Sequence, residues 1–254
     1  VSIMPEGRSI DYLVVNHMEP DHSGSISILR KLYPEMKILG NKKTLEMIGA
    51  FYGITEGLVE VKEGDVIDLG RHKLTFAMIP MVHWPESMVA YETTEKVLFS
   101  TDAFGGFCAL EGGIFDDELD MALYEDETLR YFANIVGRYS GPAQKAIAKV
   151  RALDLKIICP AHGPILRSNP RHIVDLYDKW SSHNTDEGIV VVYGSMYGNT
   201  KFMTDTIARA ACEAGVKDVI VHDASRSNLS YIVRDIWKYR GLVLGSCTYN
   251  TELY

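Results

Sequence analysis

The sequence predicts an α/β chain, a layered α/β or αββα arrangement followed by a doubly wound parallel sheet. Three observations predict it. Between residues 12 and 51, short β-branched runs alternate with apolar residues at helical spacing. From about Val59 to Ser100 the pattern becomes a succession of short strand-like runs broken by glycine, proline and charge. After a polar linker at 181–187, the run Gly188-Ile189-Val190-Val191-Val192-Tyr193-Gly194 opens a strand–helix alternation, as in a parallel sheet buried on both faces.

In order, Tyr12-Leu13-Val14-Val15 reads as a buried strand. Ile26, Ile28, Leu29 and Leu32 read as an amphipathic helix capped by Ser23-Gly24-Ser25. Residues 36–39 form a strand and 42–51 a helix. Strands follow at 66–69, 74–79, 88–91 and 97–100, then two helices at about 118–136 and 142–153. A strand at 156–159 and a helix through Ile173, Leu176, Tyr177 and Trp180 complete the first domain, 1–183. The second, 188–254, runs strand, helix to about Ala214, strand 219–222, helix 229–238 and strand 241–245. Val1 is not an initiating methionine, and Tyr254 ends the chain just after a strand–loop unit begins. The expectation is therefore a fragment, lacking the opening strands of the first sheet and the C-terminal part of the second.

Composition narrows the function classes. The 254 residues are 46% hydrophobic and 24% charged, ordinary for a globular protein. The net charge of −8 argues against nucleic acid or a membrane surface as partner. No apolar run approaches the roughly 18 residues of a membrane span, and the N-terminus has no signal-peptide pattern. Cys108, Cys159, Cys212 and Cys247 are widely spaced with no CxxC pair. That argues against both a disulfide framework and a thiolate zinc site and predicts a reducing, cytoplasmic setting.

His17-Met18-Glu19-Pro20-Asp21-His22 packs four candidate metal ligands into six residues at a strand exit. A helix cap would use one such residue. His83 follows one later strand, Asp102 another and His162 a third, each at a strand end like the first stretch. Alone, His83 reads as a hydrogen-bonded core residue, Asp102 as a turn residue, and His162 before Gly163 as turn chemistry. Their shared placement raises the set: four imidazoles and three carboxylates suffice for two metal ions with one bridging carboxylate. In an extended loop, His17, Glu19 and Asp21 would point the same way.

The second domain carries another constellation. Ser195-Met196-Tyr197-Gly198-Asn199-Thr200 lies between a strand and a helix, where hydroxyls, backbone N–H groups and the helix end can cradle a phosphate. It lacks the lysine of a P-loop and the glycines of a dinucleotide fold. Ser246-Cys247-Thr248-Tyr249-Asn250 falls at the carboxyl edge of the same sheet, where such folds bind ligands, and Tyr249 can stack on a flat ring.

Here the residues carry a resemblance. The pattern His-x-Glu-x-Asp-His, followed by His, Asp and His, resembles the metallo-β-lactamase-like domain of flavodiiron proteins. The likeness extends to His83-Trp84-Pro85-Glu86-Ser87-Met88, Phe99-Ser100-Thr101-Asp102-Ala103-Phe104-Gly105 and Ala161-His162-Gly163-Pro164. The two later loops resemble the FMN site of flavodoxin, the second domain of those proteins. The resemblance implies a metallo-β-lactamase-like αββα sandwich followed by a flavodoxin-like sheet. It also implies two non-heme irons, one on His17, Glu19 and His83, the other on Asp21, His22 and His162, with Asp102 bridging. Glu19 stands where hydrolytic members of the superfamily carry histidine, which moves the donor set from zinc towards iron. The implied activity is reduction of O2 to water or NO to N2O, with electrons passed through FMN. Rubredoxin, reduced F420 and an NAD(P)H-linked reductase are the implied donors, and a head-to-tail homodimer or dimer of dimers the implied assembly. The rivals are a dinuclear-zinc hydrolase and a non-catalytic redox or gas sensor.

Overall fold

The structure, a computed structural model, describes residues 7–110 and 112–253. The first sheet is parallel, β1 (Tyr12–Val14), β2 (Lys37–Gly40) and β3 (Leu58–Glu60) in that order. The second runs β4 (Val66–Asp68), β5 (Lys73–Met78), β6 (Met88–Glu92), β7 (Val97–Thr101) and β8 (Ile157–Pro160). Its pairings are antiparallel except that of β7 with β8.

Alternation of side chains builds the layers. In β6 every residue is buried: Met88 and Ala90 enter the core between the two sheets, whereas Val89 and Tyr91 face the helices beyond. Likewise Leu39 of β2 enters the inter-sheet core with Phe76, while Ile38 packs with Ile48 of α3 (Lys42–Tyr52). Asn41 caps α3 by accepting the Thr44 amide, and Gly53 ends it in the left-handed conformation. The outcome is the expected αββα sandwich.

Three local expectations are corrected. Pro20 opens a helical turn of its own, α1 (Pro20–Ser23), ahead of α2 (Ile26–Leu32), and Ser25 makes no side-chain cap. The two helices expected at 118–136 and 142–153 are one continuous path. It runs through α4 (Met121–Tyr131), a π-helical turn (Phe132–Val136), a 3₁₀ turn (Gly137–Tyr139) and α5 (Ser140–Arg151). Pro142 does not interrupt it, because in the first turn of α5 its missing N–H costs nothing. The third correction is the polar linker: after α6 (Pro170–Ser181), strand β9 (Asp186–Gly194) already includes Asp186 and Glu187. Tyr239 pairs with Asp186 across the sheet and extends it.

The third sheet is parallel in the order β10 (Val219–Asp223), β9, β11 (Tyr239–Ser246), with α7 (Asn199–Glu213) and α8 (Leu229–Lys238) as crossovers. It is anchored on the sandwich through α8. Trp237 packs against Phe132 and donates its indole N–H to the Trp180 carbonyl at 3.0 Å. A Cβ on Gly137 would lie 2.8 Å from that indole, so only glycine admits it. The Arg130 guanidinium sits between the Phe107 and Tyr231 rings and donates to Ser230 Oγ.

Glu92 tests the sandwich edge. Partial burial opposes its charge, but the Glu95 and Thr94 amides hold its carboxyl at about 2, below the usual 4.5. Its stabilisation is therefore present above pH 4.5 and lost as pH falls towards 2. Glu92→Gln is expected to lower the melting temperature at pH 7, with the gap closing between pH 4.5 and 2 in a pH series of thermal melts.

Candidate metal centre and flavin loops

Four strand exits converge on one edge of the sandwich. β1 delivers His17 three residues beyond its end at Val14, past the buried Val15, and Glu19 (ψ 141°) is the N-terminal neighbour of α1. His83 lies on the loop after β5, Asp102 on the turn after β7 and His162 on the turn after β8. The last two turns are tied together, because Ala161 N donates to the Thr101 carbonyl at 2.7 Å. Gly105 allows this approach: a Cβ there would stand 2.7 Å from the His162 carbonyl. Thr101 and Phe104 flank Asp102 with φ of 60° and 71°, a left-handed conformation that costs non-glycine residues about 1–3 kcal/mol each. Backbone strain is thus concentrated around this carboxylate.

All seven expected metal ligands are brought together, in two groups. His17, Glu19, His83 and Asp102 form one; Asp21, His22 and His162 form the other. The alternation expected for His17, Glu19 and Asp21 stops at Pro20. The helical turn it starts rotates Asp21 and His22 towards the second group.

Asp102 faces both groups with different oxygens. Its Oδ2 lies 2.8 Å from His83 Nε2 and 3.2 Å from His17 Nε2, while its Oδ1 lies 2.8 Å from His22 Nε2 and 3.5 Å from His162 Nε2. Glu19 completes the first group, 3.0 Å from His83 Nε2, and Asp21 the second, 3.2 Å from His162 Nε2. His17 Nε2, His22 Nε2 and both Asp102 oxygens are buried, yet none is aligned in a hydrogen bond. Buried polar atoms that crowd together without pairing fit a pair of cations seated among them. The mixed imidazole and carboxylate donors suit iron or zinc.

Burial opposes the charge on Asp102, but His17, His22 and His83 hold its carboxyl far below the usual carboxylate range. Burial alone would lower His17, and the Asp102 and Glu86 carboxylates outweigh it, raising His17 to about 10.

Residues 1–163 match the family described as ODP family beta lactamase. The chain belongs to that family. Among curated relatives of this ODP protein, it is 35% identical to an uncharacterized protein of Methanocaldococcus jannaschii over 255 residues, covering 100% of this chain and 64% of that one. It is 34% identical to the anaerobic nitric oxide reductase flavorubredoxin of Vibrio vulnificus, covering 97% of this chain and 51% of the relative. Among solved structures, it superposes on the rubredoxin oxygen:oxidoreductase of Desulfovibrio gigas with a TM-score of 0.91 and 30% identity. That match covers 95% of this chain and 61% of the other. For the flavodiiron protein of Giardia intestinalis the TM-score is 0.90 at 27% identity, over 95% and 59%. The resemblance read from the motifs is borne out, and this chain spans roughly half to two-thirds of the length of these relatives.

The flavin candidates of the ODP chain lie at the carboxyl ends of the adjacent strands β9 and β11. Ser195, Met196, Tyr197, Asn199 and Thr200 share a shallow cavity with Cys247, Thr248 and Tyr249. Gly198, at the start of α7 with φ 89°, donates its N–H to Ser195 Oγ at 3.1 Å. The second stretch is less of a loop than expected. Ser246 closes β11, and β12 (Thr248–Tyr249) pairs with β13 (Glu252–Leu253) around left-handed Asn250 and Thr251. The physical reason is local: two left-handed residues make a turn tight enough to pair the flanking dipeptides. Tyr197 and Tyr249 are exposed, free to cover a planar ring.

Three neighbours of the centre were not singled out by sequence. Glu86 meets His17 Nδ1 at 2.8 Å, the Trp84 ring stands edge-on to His17, and the buried Tyr131 ring lies 5.6 Å from that of His162. Glu86 had a signal, since ligating histidines need a partner for their second nitrogen and it lies three residues after His83. Tyr131 had none.

Asp102→Asn leaves an oxygen for one group only. Elemental analysis of the variant is expected to show about one bound metal ion or fewer, against two for the wild type.

Proposed function

We propose that this chain is the diiron and flavin portion of a flavodiiron oxidoreductase that reduces O2 to water, NO to N2O, or both. The observation that carries the reading is Asp102, with one oxygen on each of two ligand groups. The relatives named as a nitric oxide reductase and a rubredoxin oxygen:oxidoreductase support the reaction class.

Residues 1–183 would form the diiron domain and 188–254 the FMN domain. His17, Glu19 and His83 would hold one iron and Asp21, His22 and His162 the other, with Asp102 shared. Two irons bound here would supply two electrons and the place where O2 or NO binds, and FMN two more. The oxygen-rich donors, Glu19 and Asp21 included, favour iron over zinc. Gly198 and the start of α7 would take the FMN phosphate, with Ser195 and Thr200 as hydroxyl partners and Tyr249 against the ring. The rest of each stretch, Met196, Tyr197, Asn199 and Ser246, Cys247, Thr248, Asn250, would line the flavin.

Electrons would come from rubredoxin, reduced F420 or an NAD(P)H-linked reductase, and a head-to-tail homodimer or dimer of dimers is the assembly we favour. A cytoplasmic setting is supported by four free cysteines. Among the described residues, no helix is long and apolar enough to cross a membrane.

Elemental analysis of the purified protein, paired with a flavin absorbance spectrum, tests this reading. About two irons per chain, a bound flavin, and O2 or NO consumption with a reduced donor are expected. Two zincs after growth in iron-replete medium, with ester or amide hydrolysis and no gas consumption, would overturn it.

A further inference from the structure

Glu86 is, among the described residues, the one acidic side chain that touches a candidate ligand from outside both ligand groups. Its side chain is fully buried, and one oxygen, Oε1, meets two partners: His17 Nδ1 at 2.8 Å and the Met18 backbone N–H at 2.9 Å. The backbone amide can only donate, so Oε1 acts as an acceptor there. The imidazole facing the same oxygen is then held with its proton on Nδ1. His17 Nε2 is left facing Asp102 and Glu19, at 3.2 and 3.4 Å.

Glu86 is itself fixed. The Asn41 side-chain amide donates to the Glu86 backbone carbonyl, while Asn41 Oδ1 caps α3 through Thr44 N at 3.1 Å. A line of hydrogen bonds thus runs from the start of a packed helix to one candidate ligand. His22, His83 and His162 have no hydrogen bond at Nδ1 with any described residue. The two ligand groups are therefore unequal. One contains an imidazole whose rotation and tautomer are set by a buried carboxylate, which also makes Nε2 the better donor.

We propose that Glu86 is the positioning residue of the metal centre, setting the tautomer of His17 and making the His17, Glu19 and His83 group the tighter of the two. The inference rests on the reading that both groups hold metal. A role confined to pinning the Met18 amide would be structural only.

Co2+ titration of the metal-free chain, followed by visible absorbance, tests it together with thermal melts. Wild type is expected to bind two Co2+ in two resolved steps. In Glu86→Gln the carbonyl oxygen can still accept both N–H groups while the charge is gone. The tighter step should weaken by roughly 10- to 100-fold, with the weaker step and the melting temperature of the metal-free chain unchanged. Equal weakening of both steps, or of neither, would overturn the proposal, as would two equal steps in the wild type. No Co2+ uptake by the wild type would instead sink the metal reading itself. A measurement on the wild type alone guards against misfolding of the variant. Proton NMR of the one-Co2+ form should show a cobalt-shifted imidazole N–H that exchanges slowly with solvent, and its absence would also overturn the proposal.

Discussion

Everything at the edge of the sandwich is arranged around a carboxylate with almost no access to water. Asp102 is 1% exposed, and burying a charge there is costly unless opposite charge is packed around it. Three imidazole Nε2 atoms lie within 3.2 Å of its oxygens, and the fourth lies at 3.5 Å. The rest of the local architecture serves that cluster. Two left-handed residues flank Asp102, and Gly105 lets the turn after β7 press against the turn after β8. Such strain persists only where surrounding structure over-determines it. Here the core on the helix side of the second sheet supplies the base, with Ala103 and Phe104 buried in it and the Phe104 ring against Tyr177.

The same economy appears where the third sheet meets the sandwich. α4 carries Tyr131 beside His162 on one side, while Arg130 and, in the turn that follows, Asn134 hold Ser230 at the start of α8. A continuous helical path therefore borders both the candidate metal centre and the helix that crosses behind the candidate flavin loops. Its π-helical turn and Gly137 belong to that contact, because both occur where Phe132 and Trp237 interlock.

The layers and the seven candidate ligands were legible because they rest on local rules. Period-two runs mark strands, and ligand-type residues at strand exits are rare enough to count as a set. What could not be read was which group each ligand joins. That depends on Pro20 turning the chain into a helix between Glu19 and Asp21, and a local pattern does not reveal that a proline will be so used. Glu86 was hidden for a different reason. Its nearness to His83 marked it as a candidate partner for a ligating histidine, but the histidine it meets, His17, is 69 positions away, and no spacing rule selects that one. The merging of α4 and α5 was masked by Pro142, which costs nothing in a first turn, and the early start of β9 by the polar 181–187 stretch, where pairing of Asp186 with Tyr239 extends the strand.

The exposure of the cluster is lopsided. The side chains of His17 and Asp102 are each 1% exposed, whereas those of Asp21, His162 and Glu19 are 49%, 36% and 35% exposed. Dissolved ions can approach the outer three and screen them, while the inner pair feels the undiluted field of its neighbours. The centre is thus a half-insulated terminal, with one face coupled to the ionic strength of its surroundings and the other set only by the protein.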